Sequence, residues 1–193
     1  MKLHVICVAY KRIIPLRVLV DSFLLQTNPN WILYVVHDGK MPNGVKDVSK
    51  LYTDDRISFI ETDKRKGFYG HINRRMMLDT LPSCDDYVLM TNDDNYYTPM
   101  FVEFILEAGG EDVGVIYCDT IHSHFQYDYH KSSLRQNGID MGAFIVKLDV
   151  AKCTGFNNLD YSADGIFAGD CLETCNENGL KTTHIKKGLF IHN

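Results

Sequence analysis

Tyr87-Val-Leu-Met-Thr-Asn-Asp-Asp-Asn-Tyr-Tyr97 is the stretch on which the fold turns: an apolar strand, Tyr87 to Thr91, runs without a break into Asn92-Asp93-Asp94-Asn95. Adjacent carboxylates at a strand end repel one another and are costly unless a cation or strong donors compensate. Hard divalent cations take oxygen ligands, and Mg²⁺ or Mn²⁺ often uses one or two carboxylates together with substrate phosphates. A solvated Asp/Asn turn meets the same pattern, so the tetrad alone leaves both readings open.

Outward from this strand, short runs rich in β-branched residues alternate with stretches of helical spacing. Upstream, Leu3–Ala9 reads as a buried strand, followed by a helix with Pro15 in its first turn and an apolar stripe of Leu16, Leu19, Val20, Phe23 and Leu24. Asn28-Pro29-Asn30 breaks that helix. Strands follow at 32–37, closed by the turn Asp38-Gly39, and at 57–61, then a helix from about Gly70 to Asp79. Downstream, Thr98-Pro99 opens a helix through Met100, Phe101, Phe104 and Ile105. Strands are expected at 113–118 and 139–147, a helix at 164–176 stopped near Gly179, and closing strands at 182–185 and 189–192. Such alternation implies βαβ units and a mainly parallel central sheet flanked by helices, an α/β domain whose length leaves room for a small added lobe. Sheets of this kind bind ligands outside the carboxyl ends of their strands. Asp38 and Asp93-Asp94 therefore belong on one rim.

The chain of 193 residues fits one domain, residues 1–95 forming one half and 96–193 the other. A chain this long buries roughly 70% of its unfolded surface and needs no disulfide staple. A net charge of -5 and the lack of any basic run argue against a nucleic acid partner. The six cysteines are scattered through apolar segments, the usage of a reducing compartment. Cys171 and Cys175 stand four apart on a helix, but no second Cys/His pair at ligand spacing follows them. No apolar run reaches the roughly 18 residues of a membrane span, and no small-residue cleavage site follows the first strand, so a cytoplasmic protein is expected.

The acidic segment resembles the DXD region of GT-A glycosyltransferases, most closely the family 2 group. The resemblance implies that Asp93 lies near ribose and metal and that Asp94 is the direct ligand of Mn²⁺ or Mg²⁺. Asn92 stands where many members carry Asp, and an amide oxygen can still reach a ribose hydroxyl. Other stretches match in the same order. Val8-Ala9-Tyr10-Lys11-Arg12 stands where the family binds the nucleotide base, with Tyr10 placed to stack or simply to sit as a rim aromatic, and Arg12 placed to reach a phosphate. His37-Asp38-Gly39 resembles a turn whose acid hydrogen-bonds the base edge. Gly67-Phe-Tyr69-Gly-His-Ile-Asn73 resembles the Gly-rich loop opening a helix, whose exposed N–H groups suit donor oxygens.

Further on, 137–147 looks like the strand beneath the donor sugar, with Asp140 either accepting a sugar hydroxyl or shaping a turn. Ser162-Ala163-Asp164-Gly165 resembles the stretch carrying the catalytic carboxylate. Ala163 replaces the first acid, so Asp164 is the single candidate base, its competing role being a first-turn acid stabilising the helix dipole. Near the end of the chain, His192 corresponds to a histidine that completes the metal site in many relatives.

A family 2 resemblance implies a sugar moved from a nucleotide diphosphate donor, UDP by the family's habit, to a glycan or glycoconjugate hydroxyl with inversion. The segment 121–130, rich in His and aromatics, reads as an acceptor-side loop. A zinc cluster of His122, His124 and His130 is the competing view, with no thiol or acid nearby to complete it. The chain is short for this family, which fits one module of a longer polypeptide. Two rivals remain. A sugar-nucleotide nucleotidyltransferase would need a Gly-rich loop after the first strand, and 8–15 contains no Gly. A non-catalytic nucleotide-sugar-binding module would share the fold and dispense with Asp164.

Overall fold

The computed structural model describes residues 1–82, 84–135 and 137–193. Its first strand, β1 (Leu3–Ala9), is buried at all seven positions, the mark of a strand covered on both faces. Helix α1 (Ile13–Leu24) follows and buries Leu16, Leu19, Val20 and Phe23 on one stripe, while Leu24 is left exposed. Next come β2 (Trp31–His37), α2 (Asn43–Leu51), β3 (Ile57–Glu61), a 3₁₀ turn at Phe68–Gly70, α3 (His71–Thr80) and β4 (Tyr87–Asn92).

After β4 the chain forms β5 (Tyr96–Tyr97), α4 (Phe101–Ala108), β6 (Val113–His122), β7 (Asp128–His130), β8 (Phe144–Lys147), α5 (Leu148–Thr154), α6 (Ala163–Glu177) and β9 (Lys181–His192). Among the described residues the strands form one sheet in the order β3-β2-β1-β4-β8-β6-β9-β5, with β7 paired to β6.

The sheet is mixed rather than purely parallel, its longest ladders being the parallel ones. β3, β2, β1 and β4 are mutually parallel, but β8 inserts antiparallel between β4 and β6, and β6 then pairs parallel with β9. Alternation along the chain predicted parallel pairing and could not place β8, whose position depends on which edge of β4 remains open. The strand order reverses between β1 and β4, and a crevice opens at such a switch point. Its rim carries Tyr10 on one side and Asn92–Asp94 on the other, Val8 being in register with Asn92.

Three expectations are corrected. Residues 139–143 are not strand: Asp140 Oδ1 accepts from Gly142 N at 2.7 Å and shapes a 3₁₀ turn at Met141–Ala143, so β8 begins only at Phe144. The two closing strands are one, because register shifts on either side of Asp119 absorb Lys186 and Lys187 as an irregularity opposite Cys118–Asp119. Helices α2 and α5 were not expected at all. No helix among the described residues is long and apolar enough to cross a membrane.

Candidate active site

Four consecutive residues after β3, Gly67 to Gly70, take positive φ, two of them the non-glycine Phe68 and Tyr69. Such a run persists only when its surroundings fix it. Asp38 supplies the fixing: Oδ1 accepts from Lys66 N (2.7 Å) and Asn73 Nδ2 (3.0 Å), and Oδ2 from Gly67 N (2.9 Å). Burial alone would raise the Asp38 carboxyl, but these donors and the Arg65 guanidinium outweigh it and hold the group below the usual carboxylate range. Three of its lone pairs are therefore committed to the loop and to α3. Gly70 closes the loop against β1, where a Cβ would meet Val8 at 2.8–2.9 Å.

One cleft lies between this loop and the ends of β1 and β4, lined by Ala9, Tyr10, Arg12, Asp38, Gly67, Tyr69, Asn92 and Asp93 among others. The Tyr10 ring is covered by the Arg65 guanidinium at 4.2 Å from its centroid, and Tyr10 N donates to Asp93 Oδ2 at 3.0 Å. Asp93 is 2% exposed, and burial raises its carboxyl despite the Tyr10 N–H and Arg12. Half-exposed Arg12 spans both acids, 3.6 Å from Asp93 Oδ1 and in a direct ion pair with Asp94 Oδ2. Arg12, expected on a phosphate, pairs here with both acids.

A second cleft of about 440 Å³ adjoins the first, sharing Tyr69 and Asn92 with it. Its lining includes Arg74, Asp140, Asp164, His122 and His192. Asp164 stands in the first turn of α6, and its Oδ1 is buried without a hydrogen-bond partner among the described residues. Burial raises its carboxyl, Arg74 opposes that, and Asp140 reinforces it. A carboxylate that is desolvated, short of donors and faces a cleft gains proton affinity, which suits a general base. A simple N-terminal cap would instead accept backbone N–H groups of its own helix, and the Ser162 end of α6 has no such side-chain cap.

Arg74 left no signal in the sequence, because an arginine within a helix, next to Arg75, reads as a solvated charge. Here it is 2% exposed and lines the second cleft, donating to two residues that both clefts share, Asn92 Oδ1 (2.5 Å) and Tyr69 O (3.0 Å). It is the strut between the strained loop and the β4 terminus.

Among the described residues Asp93, Asp94 and His192 do not form a group of three whose ligand atoms all lie within 4.8 Å of one another. His192 faces His122, Nδ1 to Nδ1 at 3.2 Å, with its Nε2 3.7 Å from Asp140 Oδ2. His124 and His130 lie beside His122, ring centroids 5.5–5.7 Å away, yet these histidines also bring no three ligand atoms within that limit. Cys171 and Cys175 are buried free thiols in the core.

A family model described as "Glycosyl transferase family 2" matches residues 4–172. No curated protein matches the chain by sequence. Among solved structures, S. aureus TarS 1-349 superposes with a TM-score of 0.79 at 14% identity, covering all of this chain and 60% of that one. The same protein in complex with UDP gives 0.78, 14% and 60%, and in complex with UDP-GlcNAc 0.77, 14% and 58%, again over all of this chain. At this identity the likeness establishes a GT-A fold, and the chain spans about 60% of the length of the solved chains it matches.

Proposed function

The chain belongs to glycosyl transferase family 2, and from that premise we propose that it moves a sugar from a UDP-linked donor to a hydroxyl of a glycan or glycoconjugate, inverting the anomeric centre, in a cytoplasmic setting. The observation that carries the reading is the junction of two differently built clefts at one rim, one ringed by Tyr10, Asp38 and Asp93, the other by Asp164. The UDP and UDP-GlcNAc complexes of TarS support the choice of donor.

In this reading the base lies in the first cleft against Tyr10 and the loop that Asp38 holds, with Ala9 and Gly67 as its walls. Ribose and diphosphate run past Asn92 and Asp93. The sugar enters the second cleft near Asp140 and His192, and the acceptor arrives along residues 121–130 and the exposed Tyr161. Asp164 takes the acceptor proton as the acceptor oxygen bonds to the anomeric carbon. The bond from that carbon to the β-phosphate oxygen breaks in the same step, and UDP leaves with the electron pair.

The acidic pair fits a divalent cation of the Mg²⁺ or Mn²⁺ kind in the mode that uses one carboxylate plus substrate oxygens. Asp94 is the ligand we propose, since its present partner is the half-exposed, flexible Arg12, whereas Asp93 is committed to Tyr10 N. Such an ion supplies charge neutralisation for the departing diphosphate. His192, held by His122 and Asp140, is assigned to the sugar side instead.

Binding and hydrolysis of a panel of nucleotide sugars, with Mn²⁺, with Mg²⁺ and with chelator, test the proposal. One UDP-sugar is expected to bind in a metal-dependent way and release UDP slowly, and Asp94→Ala is expected to remove the metal-dependent part. Binding of no nucleotide sugar under any metal condition would reduce the tetrad to a turn and end the reading. Tight donor binding with no hydrolysis or transfer to any acceptor would identify a binding module.

A further inference from the structure

At the opposite end of the central strands, where β1 and β4 begin, three side chains of different chemistry converge. His4 Nε2 lies 3.1 Å from Asp86 Oδ2, and Cys84 Sγ lies 3.4 Å from the same oxygen. Among the described residues this is the only group of three metal-ligand side chains whose donor atoms all fall within 4.8 Å of one another. Tetrahedral zinc, with bonds of about 2.0–2.1 Å to nitrogen and oxygen and about 2.3 Å to sulfur, spaces its ligands roughly 3.3–3.5 Å apart. The two spacings to Asp86 Oδ2 sit close to that range, and His4 Nε2 and Cys84 Sγ lie within 4.8 Å of each other.

We propose that His4, Cys84 and Asp86 form a zinc site, independent of the glycosyltransferase chemistry, with the fourth position open to water. The surroundings match what a ligating histidine requires. The other ring nitrogen of His4, Nδ1, lies 3.3 Å from Tyr34 Oη, a partner that fixes the ring and leaves Nε2 as the ligand. Asp86 is fixed in turn, its second oxygen accepting from Lys2 N at 2.7 Å. His4 is 4% exposed while Cys84 and Asp86 are half-buried, so the group is enclosed on one side and open on the other.

The charges also close. Zn²⁺ replaces the thiol proton of Cys84, which passes to solvent, and meets one thiolate, one carboxylate and a neutral imidazole. The resulting centre has no net charge. From His4 to the end of β1 at Ala9 is roughly 17 Å of extended strand. Ligation there would pin the amino-terminal strand to the turn that leads into β4, the two strands that flank the active crevice.

Cobalt(II) titration of the purified chain in the absence of nucleotide tests the site, followed by competition with Zn²⁺. A near-ultraviolet thiolate-to-cobalt charge-transfer band should grow to one ion per chain and be displaced by Zn²⁺. The band should vanish in Cys84→Ser, and persist in Cys153→Ser, which removes the exposed free thiol, and in Asp94→Asn, which removes the metal ligand proposed for the active site. Tyr34→Phe should keep the band but weaken affinity about 10-fold. Asp86→Asn, checked for a native circular dichroism spectrum, should lose most binding. Cobalt binding without the thiolate band, or unchanged Zn²⁺ affinity in Cys84→Ser, would overturn the site. Neither result would bear on the donor panel, because the two metal positions are read by different variants.

Discussion

At the scale of single residues, Asp164 and Arg74 form the most consequential pair in the second cleft. Burial raises the Asp164 carboxyl and Arg74 lowers it, so the proton affinity of the proposed base is a balance between the two. Transfer needs the deprotonated form. The rate is therefore expected to rise with pH through an acid limb lying above the ordinary carboxylate range of about 4. Arg74→Met removes the group that holds the value down, so the limb should move further up in a kcat/KM profile against pH. A limb that stays in place would separate Arg74 from the base. Asp164→Asn should lower the rate of transfer by about 10²–10⁴-fold while donor affinity changes little. Wild-type turnover in that variant would refute the base assignment. The two members of this pair differ in how they could be found. Asp164 was legible because it stands alone where the family carries its carboxylate. Arg74 was not, since its burial depends on the loop at 67–70 folding over it.

At the scale of elements, two glycines predict opposite signs. Gly70 combines φ of +81° with a backbone packed on Val8, so Gly70→Ala should destabilise by about 1–3 kcal/mol, through strain and through the displaced contact. Donor affinity should fall with it, because the loop is the wall of the first cleft. Gly169 lies exposed within α6, where an added methyl would meet nothing within 4 Å, and Gly169→Ala should stabilise by about 0.4–1 kcal/mol. Thermal melts of the two variants decide both. The elements around these glycines were unevenly readable. β1 and β4 are buried on both faces and read as continuous apolar runs, and α1 and α6 carry long helical patterns. α2 buries only Val45 and Val48, too narrow a stripe to stand out from a polar loop. α5 follows β8 with no breaking residue between them, so a single apolar stretch conceals the change from strand to helix. The irregular centre of β9 disguised one strand as two, because Lys186-Lys187-Gly188 reads as a turn.

At the scale of the whole molecule, the sheet is two halves meeting where β8 runs antiparallel beside β4. The parallel half, β3-β2-β1-β4, owns the first cleft, and elements beyond β4 supply Asp140, Asp164 and His192 to the second. A donor spanning both clefts would tie the halves together and should stabilise the fold by mass action. At a free concentration one hundred times its Kd, UDP contributes about 2.7 kcal/mol. For a chain of this length that is a rise in Tm of roughly 5–11 °C. The rise should shrink when chelator replaces Mn²⁺, because the diphosphate then faces Asp93 and Asp94 with only Arg12 between them. Asp164→Asn should show the full rise, since the proposed base meets the acceptor rather than the nucleotide. The same melts separate two ways of compensating the acidic pair. If the rise is equal with Mn²⁺ and with chelator, and is lost in Arg12→Met, the guanidinium rather than a metal neutralises the acids and the diphosphate. If the rise needs Mn²⁺ and survives Arg12→Met, Arg12 is the cation that the metal displaces when the donor arrives.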